Sequence, residues 1–424
     1  MTMLDHEATR SAFIARTPHS GALASRAERV MPGGDTRVAG YHAPYPLVLD
    51  SGEGSKVTDV DGNVYWDLSV NYTSLVHGHG FAPVRQAALA AIAKGTAWPA
   101  RNVAQIELAE ELVGRVASVE HVRFTNSGSE ANILAMQIAR VFTNRPRVLM
   151  ARYGYHGCHE WFDQGSYPGL VHVPGADGAY LATYGDAESF EAILREHGHE
   201  IAAVFLEPVL GSAGIVSAPV EFYQRVRAAA TAVGALLVAD EVITFRLATG
   251  GHQSVLGIRP DLTTFGKVIG GGFPVGAVGG RADLMEICDP RKMRLVHSGT
   301  FNGNPVTCAA GVVATRELTD ERIISMALLA EQLERGLRAA ALHHNLPFSI
   351  RRVGSLSNVF FTELPPEAAL LRTDSSMMSA FHLAGMNHGL YFAGRGMLAL
   401  STQLTSDDIN DIITRAELAM GDIS

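Results

Sequence analysis

Two short apolar runs constrain this chain more than anything else in it. Leu236-Leu237-Val238-Ala239 leads into Asp240-Glu241, and Leu262 to Phe265 leads into Gly266-Lys267. Continuous apolar runs of this length read as strands buried on both faces, the pattern of a parallel sheet covered by helices. Similar runs recur at Val122 to Thr125, Val148 to Ala151, Leu170 to Val173, Ala202 to Leu206 and Val275 to Val278, with helical spacing between them. Strands alternating with helices predict an α/β chain built on a doubly wound, mainly parallel sheet. Ligands of such sheets collect at the carboxyl ends of the strands, so an acid and a lysine there are the first candidate functional residues.

Outside that core the pattern changes. Residues 1 to about 30 read as largely helical, and Met31-Pro32-Gly33-Gly34 breaks the run. Leu47 to Asp67 is strand-like, with a hairpin signal at Asp61-Gly62-Asn63. Pro83 to Ala93 and Ala104 to Val116 read as helices, with the proline in a first turn. Beyond about residue 310 helical spacing dominates, apart from strand material near Ile350 to Thr362 and ahead of a last helix that Thr405 and Asp408 can cap. A smaller α+β domain is expected from residues 1–75 and 311–424, beside a large domain of residues 76–310.

A chain of 424 residues with 47% hydrophobic content can bury one large core or a core with a satellite lobe. The net charge of −9 argues against general affinity for nucleic acid or anionic membranes and favours small-molecule ligands. Cys158, Cys288 and Cys308 are odd in number and widely spaced, which fits reduced thiols in a cytoplasmic protein. The first sixteen residues lack the apolar centre of a signal peptide, and no run of eighteen apolar residues predicts a membrane span. Of 34 basic residues only Lys56, Lys94, Lys267 and Lys292 are lysines. Only Lys267 follows a strand into a glycine cluster.

Four further stretches offer chemistry. Phe124-Thr125-Asn126-Ser127-Gly128-Ser129-Glu130 runs from a strand into a helix, where outward N–H groups and the helix dipole suit an anion; an ordinary N-cap reads the same way. Gly154-Tyr155-His156-Gly157-Cys158-His159-Glu160 holds zinc-type ligands but lacks a second pair at ligand spacing, while Tyr155 can stack on a planar ligand or sit in the core. Gly270-Gly271-Gly272 fits no nucleotide-loop spacing, and His297 to Pro305 is a turn-rich loop able to meet a phosphate oxygen. Arg37 near Tyr41 and Tyr45 can hold a carboxylate beside an apolar group, or be a solvated loop arginine. A carboxylate for a pyridine nitrogen and an amine for a Schiff base are the two groups that pyridoxal phosphate chemistry requires.

Together these pieces resemble the class III aminotransferases of the fold type I pyridoxal-phosphate enzymes. The resemblance is strongest to the glutamate-1-semialdehyde aminomutase branch and its β-amino acid aminotransferase relatives. It spans most of the chain and is carried by Met31-Pro32-Gly33-Gly34 with Arg37, Asn126-Ser127-Gly128-Ser129-Glu130-Ala131, Tyr155-His156-Gly157, Glu207-Pro208, Asp240-Glu241-Val242, Gly266-Lys267-Val268-Ile269-Gly270-Gly271-Gly272 and Ser298-Gly299-Thr300-Phe301. It implies pyridoxal 5'-phosphate held as an aldimine on Lys267, which also moves the substrate proton. It likewise implies Asp240 at the pyridinium nitrogen, Val242 and Tyr155 on the two ring faces, and Ser127, Gly128 and Ser129 at the phosphate. Thr300 would complete the neighbouring subunit's phosphate site, so a homodimer with shared active sites is implied.

Departures from the wider class narrow the expected substrates. The position of a glutamate common in ω-aminotransferases reads Ser212, the matching arginine position falls near Ala399, and Arg395 lies four residues earlier. With Arg37 present and no glycine between Asp240 and Arg246, the pattern is more similar to aminotransferases of aromatic β-amino acids. Arg37 is then expected at the donor's carboxylate and Arg395 at that of a keto acid acceptor such as 2-oxoglutarate or pyruvate, in a ping-pong reaction. The alternative is an intramolecular aminomutase using the same residues; a cofactor-binding protein without transamination, or a non-enzymatic α/β module, is the reading from another class.

Overall fold

The strands expected to be buried on both faces are so: every residue of Ile201–Leu206, Leu236–Asp240 and Leu262–Gly266 is buried. The computed structural model describes residues 7–166, 178–363 and 375–424. It divides into one unit of Met1–Phe81 with Glu321–Ser424 and a second of Ala82–Asp320. These divisions fall later than residues 75 and 310. The stretch to Phe81 stays with the first unit because Gly54 and His79 exchange backbone hydrogen bonds of 2.9 and 2.7 Å. The helix Pro305–Glu317 belongs to the second unit because it packs on Ala82–Ile92 and Val103–Arg115.

In the second unit seven strands form one sheet, in the order His121–Thr125, Gly276–Gly280, Leu262–Gly266, Leu236–Asp240, Ile201–Leu206, Arg147–Ala151 and Ala179–Ala182. The pairings from Leu262–Gly266 through Ala179–Ala182 are parallel, and Gly276–Gly280 runs antiparallel to both its neighbours. Successive side chains on a strand face opposite ways. Val148, Met150, Ala203, Phe205, Leu236 and Val238 therefore pack with the helix Gly128–Thr143, while Leu149, Val204 and Leu237 pack with Ala187–His197 and Val220–Val233. Each buried Val, Leu, Met or Phe among them contributes roughly 1.5–3 kcal/mol, so two covered faces hold the central strand ends firmly. The short strand Ala179–Ala182 is an addition to the strands anticipated, and Leu170 to Val173 lies outside the described residues.

The other unit draws on both ends of the chain. Leu49–Glu53, Lys56–Asp59 and Val64–Asp67 form the expected antiparallel meander, to which Leu390–Tyr391 adds in parallel. Asp59 closes the turn by accepting from the backbone N–H groups of Asp61 and Asn63 at 2.9 and 2.8 Å. A second sheet of Ser349–Val353, Leu356–Phe360 and Met397–Ala399 shares its core with Asp320–His343 and Ser406–Gly421. Thr405 and Asp408 make the anticipated capping box on the last helix. Among the described residues no helix is long and apolar enough to cross a membrane.

Candidate active site

Asp240 ends its strand on the face that carries Leu236 and Val238, which turns its carboxylate toward the helix Gly128–Thr143. Asn132 of that helix donates to Asp240 Oδ2 at 2.8 Å, and His156 Nδ1 meets the same oxygen at 2.8 Å. The backbone N–H of Val242 donates to Oδ1 at 3.1 Å, and Thr264 fixes the Asn132 amide from the other side at 2.8 Å. Asp240 is only 3% exposed. A buried carboxylate persists when it is hydrogen-bonded this fully, and Oδ1 keeps room for one more donor. His156 packs edge-on against Phe162 and Phe205, both at 5.6 Å, and its Nε2 is buried with no hydrogen-bond partner among the described residues.

Lys267 follows Leu262–Gly266 on the adjacent strand and opens the single turn Lys267–Gly270 with φ of 49°. A left-handed lysine costs about 1 kcal/mol or more, a backbone cost that clusters at functional sites. Ser127 caps Gly128–Thr143 by accepting from the Glu130 N–H at 3.1 Å, and Ser129 Oγ accepts from the Cys158 N–H at 3.1 Å. Two glycines make close approach possible. A Cβ at Gly128 would stand 2.9 Å from both Val242 methyls, and one at Gly276 would run into the Ser127 carbonyl. The serine-rich helix start, Val242 and the Lys267 strand end are thereby drawn together. Tyr155 lies in the segment after Arg147–Ala151 and is half-buried.

Glu207 of the Glu207-Pro208 pair ties this segment to another loop. Its buried carboxylate accepts from the Tyr155 N–H at 2.8 Å and the Gly211 N–H at 3.0 Å. Burial pushes its carboxyl up to about 7; the charge of Asp240 adds to that rise, while His156 and the two N–H groups oppose it. The loop carrying Thr300 is held at both ends. Arg123 donates to the His297 carbonyl and Asn126 to Asn302 Oδ1 at 2.8 Å, while Thr300 itself is exposed.

Arg37 and Arg395 lie in the other unit and share one neighbourhood there. Arg37 Nη1 donates to Asn71 Oδ1 at 3.0 Å, and its guanidinium carbon sits 5.8 Å from the centre of the Tyr72 ring. The aromatic partner is thus Tyr72, which corrects the pairing expected from Tyr41 and Tyr45. Tyr45 is drawn away to Phe13, with ring centres 5.4 Å apart, and its hydroxyl bonds Thr17, while Tyr41 is exposed. Burial raises the Tyr72 phenol above its ordinary value, opposed by the charges of both Arg395 and Arg37. Tyr391 is pushed up to about 12, first by burial and then by Tyr72 and Asp67.

A strand-end acid hydrogen-bonded on both oxygens, a strand-end lysine and a glycine-lined helix start offer the groups that pyridoxal phosphate requires. The room left on the buried Asp240 Oδ1 fits a pyridine nitrogen. The class-III aminotransferase family profile matches residues 38–415, and the chain belongs to this family. It is 38% identical to a β-phenylalanine transaminase of Variovorax paradoxus, over 94% of this chain and 92% of that one. It is 36% identical to a glutamate-1-semialdehyde 2,1-aminomutase of Desulforapulum autotrophicum, over 94% of this chain and 98% of that one. The solved ω-transaminase of Sphaerobacter thermophilus superposes with a TM-score of 0.92 at 35% identity, covering 97% and 99% of the two chains. The protein is a pyridoxal-phosphate-dependent aminotransferase.

Proposed function

We propose that the enzyme moves the amino group of a β-amino acid, with an aromatic one such as β-phenylalanine as the best candidate, to 2-oxoglutarate or pyruvate in a ping-pong reaction. The observation that carries this reading is the pairing of Arg37 with Tyr72: a cation for a carboxylate beside a ring for an aromatic side chain. The likeness to the Variovorax enzyme supports it. Bound pyridoxal phosphate supplies a carbonyl that takes up the amino group and a ring that draws electrons from the reacting carbon. Asp240, oriented by Asn132 and His156, keeps the pyridine nitrogen protonated. Ser127, Gly128 and Ser129 bind the phosphate, and Val242 and Tyr155 hold the ring between them. Lys267 is the resting partner of the cofactor, and its Nζ then takes the proton from the amino-bearing carbon of the donor. Arg37 orients the donor through its carboxylate, and Arg395 does the same for the acceptor.

The same reading makes the enzyme a cytoplasmic homodimer in which Thr300 serves the partner's phosphate site. Supporting this, Val296 and Phe301 of that loop are 74% and 60% exposed, and the three cysteines are free. A screen of α-, β- and ω-amino donors, read by bleaching of the yellow cofactor band, tests the substrate assignment. Aromatic β-amino acids should bleach it fastest; faster bleaching by amines lacking a carboxylate would overturn the role given to Arg37.

A further inference from the structure

Val70, Asn71, Tyr72 and Thr73 have φ values of 42°, 50°, 53° and 75°, four consecutive left-handed residues of which none is glycine. Left-handed backbone is costly for residues other than glycine and asparagine, so the turn persists only where its surroundings over-determine it. They do. Asp67 Oδ1 accepts from the N–H groups of Ser69 and Val70 at 2.9 and 2.8 Å, and its Oδ2 meets His79 Nε2 at 2.7 Å. The Ser69 carbonyl accepts from Thr73 at 3.0 Å and the Val70 carbonyl from Leu75 at 2.9 Å. Val70 and Thr73, at the two ends of the turn, are fully buried.

What this anchored turn presents is the middle pair. Asn71 is exposed, and its Oδ1 accepts from Arg37 Nη1 at 3.0 Å; Tyr72 places its ring by the same guanidinium. Asparagine is among the few residues that tolerate this backbone, and its amide oxygen is a neutral acceptor. It therefore orients a guanidinium without cancelling the positive charge. Asp35 Oδ1, which accepts from the Arg37 backbone N–H at 3.0 Å, fixes the other end of the residue.

We propose that Asn71 is a specificity-determining positioning residue: the left-handed turn holds its amide oxygen on one N–H of Arg37, so that the remaining guanidinium edge, beside Tyr72, faces the donor's carboxylate. This inference rests on the role given to Arg37 above. Its effect on substrates is selective, because a donor without a carboxylate gains nothing from an oriented guanidinium.

The test compares Asn71→Gly, Asn71→Asp and Arg37→Ala in the cofactor-loaded enzyme. The probes are 3-phenylpropionate and 3-phenylpropan-1-ol, with affinities measured by calorimetry and KM and kcat measured for β-phenylalanine. Glycine keeps the backbone conformation at no steric cost and removes the side chain with its hydrogen bonds to Arg37 and Ser74. Asn71→Gly should weaken the acid about tenfold, the scale of one charge-assisted hydrogen bond, spare the alcohol, and raise KM more than it lowers kcat. Asn71→Asp, which is isosteric and introduces a competing charge, should weaken the acid further and again spare the alcohol; it decides the matter should the glycine variant misfold. Equal losses for acid and alcohol, or no loss for either while Arg37→Ala separates them, would overturn the role of Asn71. Failure of Arg37→Ala to separate them removes the parent reading, and this one with it.

Discussion

The two chemistry-bearing regions of this enzyme are built on opposite principles. Around Asp240 and Lys267 regular sheet leads to the site and turns left-handed at Lys267, every strand residue on the way is buried, and hydrogen bonds of 2.8–3.1 Å fix Asp240. Around Arg37 the backbone is loop and left-handed turn, and the cation proposed for the donor's carboxylate is exposed. Chemistry common to a whole family needs fixed geometry, which a covered sheet provides. Selection among donors needs only a few oriented groups on an adaptable surface, and loops carry those. Substitutions in the first region should therefore damage the reaction for every donor, and those in the second should sort donors by charge.

The largest expected effect is at Lys267. Lys267→Ala should lower the rate of the half-reaction with any donor by about 10⁴-fold or more, measured by stopped-flow bleaching, while cofactor binding persists. Asp240→Asn should follow, with a loss of about 10²–10³-fold for all donors alike, the consequence of removing one member of a buried charged pair. A loss confined to carboxylated donors would erase the distinction between the regions. Arg37→Ala should raise KM for β-amino acids about 10- to 100-fold and leave simple amines nearly unaffected.

The smallest expected effect is on stability. Glu207 has its folded-state value raised to about 7, above that of an ordinary carboxyl, so its stability contribution is present at low pH and is lost as pH rises toward 7. The folded protein holds that proton more tightly than the unfolded chain. The melting temperature should therefore carry a downward slope between about pH 5 and 7 that Glu207→Gln flattens. An unchanged slope in the variant would remove Glu207 as the source.

What could be seen in the sequence follows the same division. Leu236 to Lys267 was legible because burial on both faces demands continuous apolar runs, and the acid and lysine interrupt them. The helix start at Ser127 carried capping chemistry, and the capping box at Thr405 was readable for the same reason. Asn132 was not legible as the clamp on Asp240, since a contact across the sheet leaves no periodic mark on a helix. Nor was the Asn71–Tyr72 turn, because left-handed backbone is signalled by glycine and this turn has none. Nor was the ring beside Arg37, because near neighbours in the chain point to Tyr41 and Tyr45, and Tyr45 is already engaged by Phe13 and Thr17.

A transaminase passes its amino group between two substrates, and each half of that exchange can be watched on the cofactor. The direct measurement adds β-phenylalanine alone to the yellow enzyme, follows the cofactor band, and then adds 2-oxoglutarate. The band should disappear with the donor and return only with the keto acid. Turnover of a lone aminoaldehyde such as glutamate-1-semialdehyde, with no amine transfer to any keto acid, would contradict it.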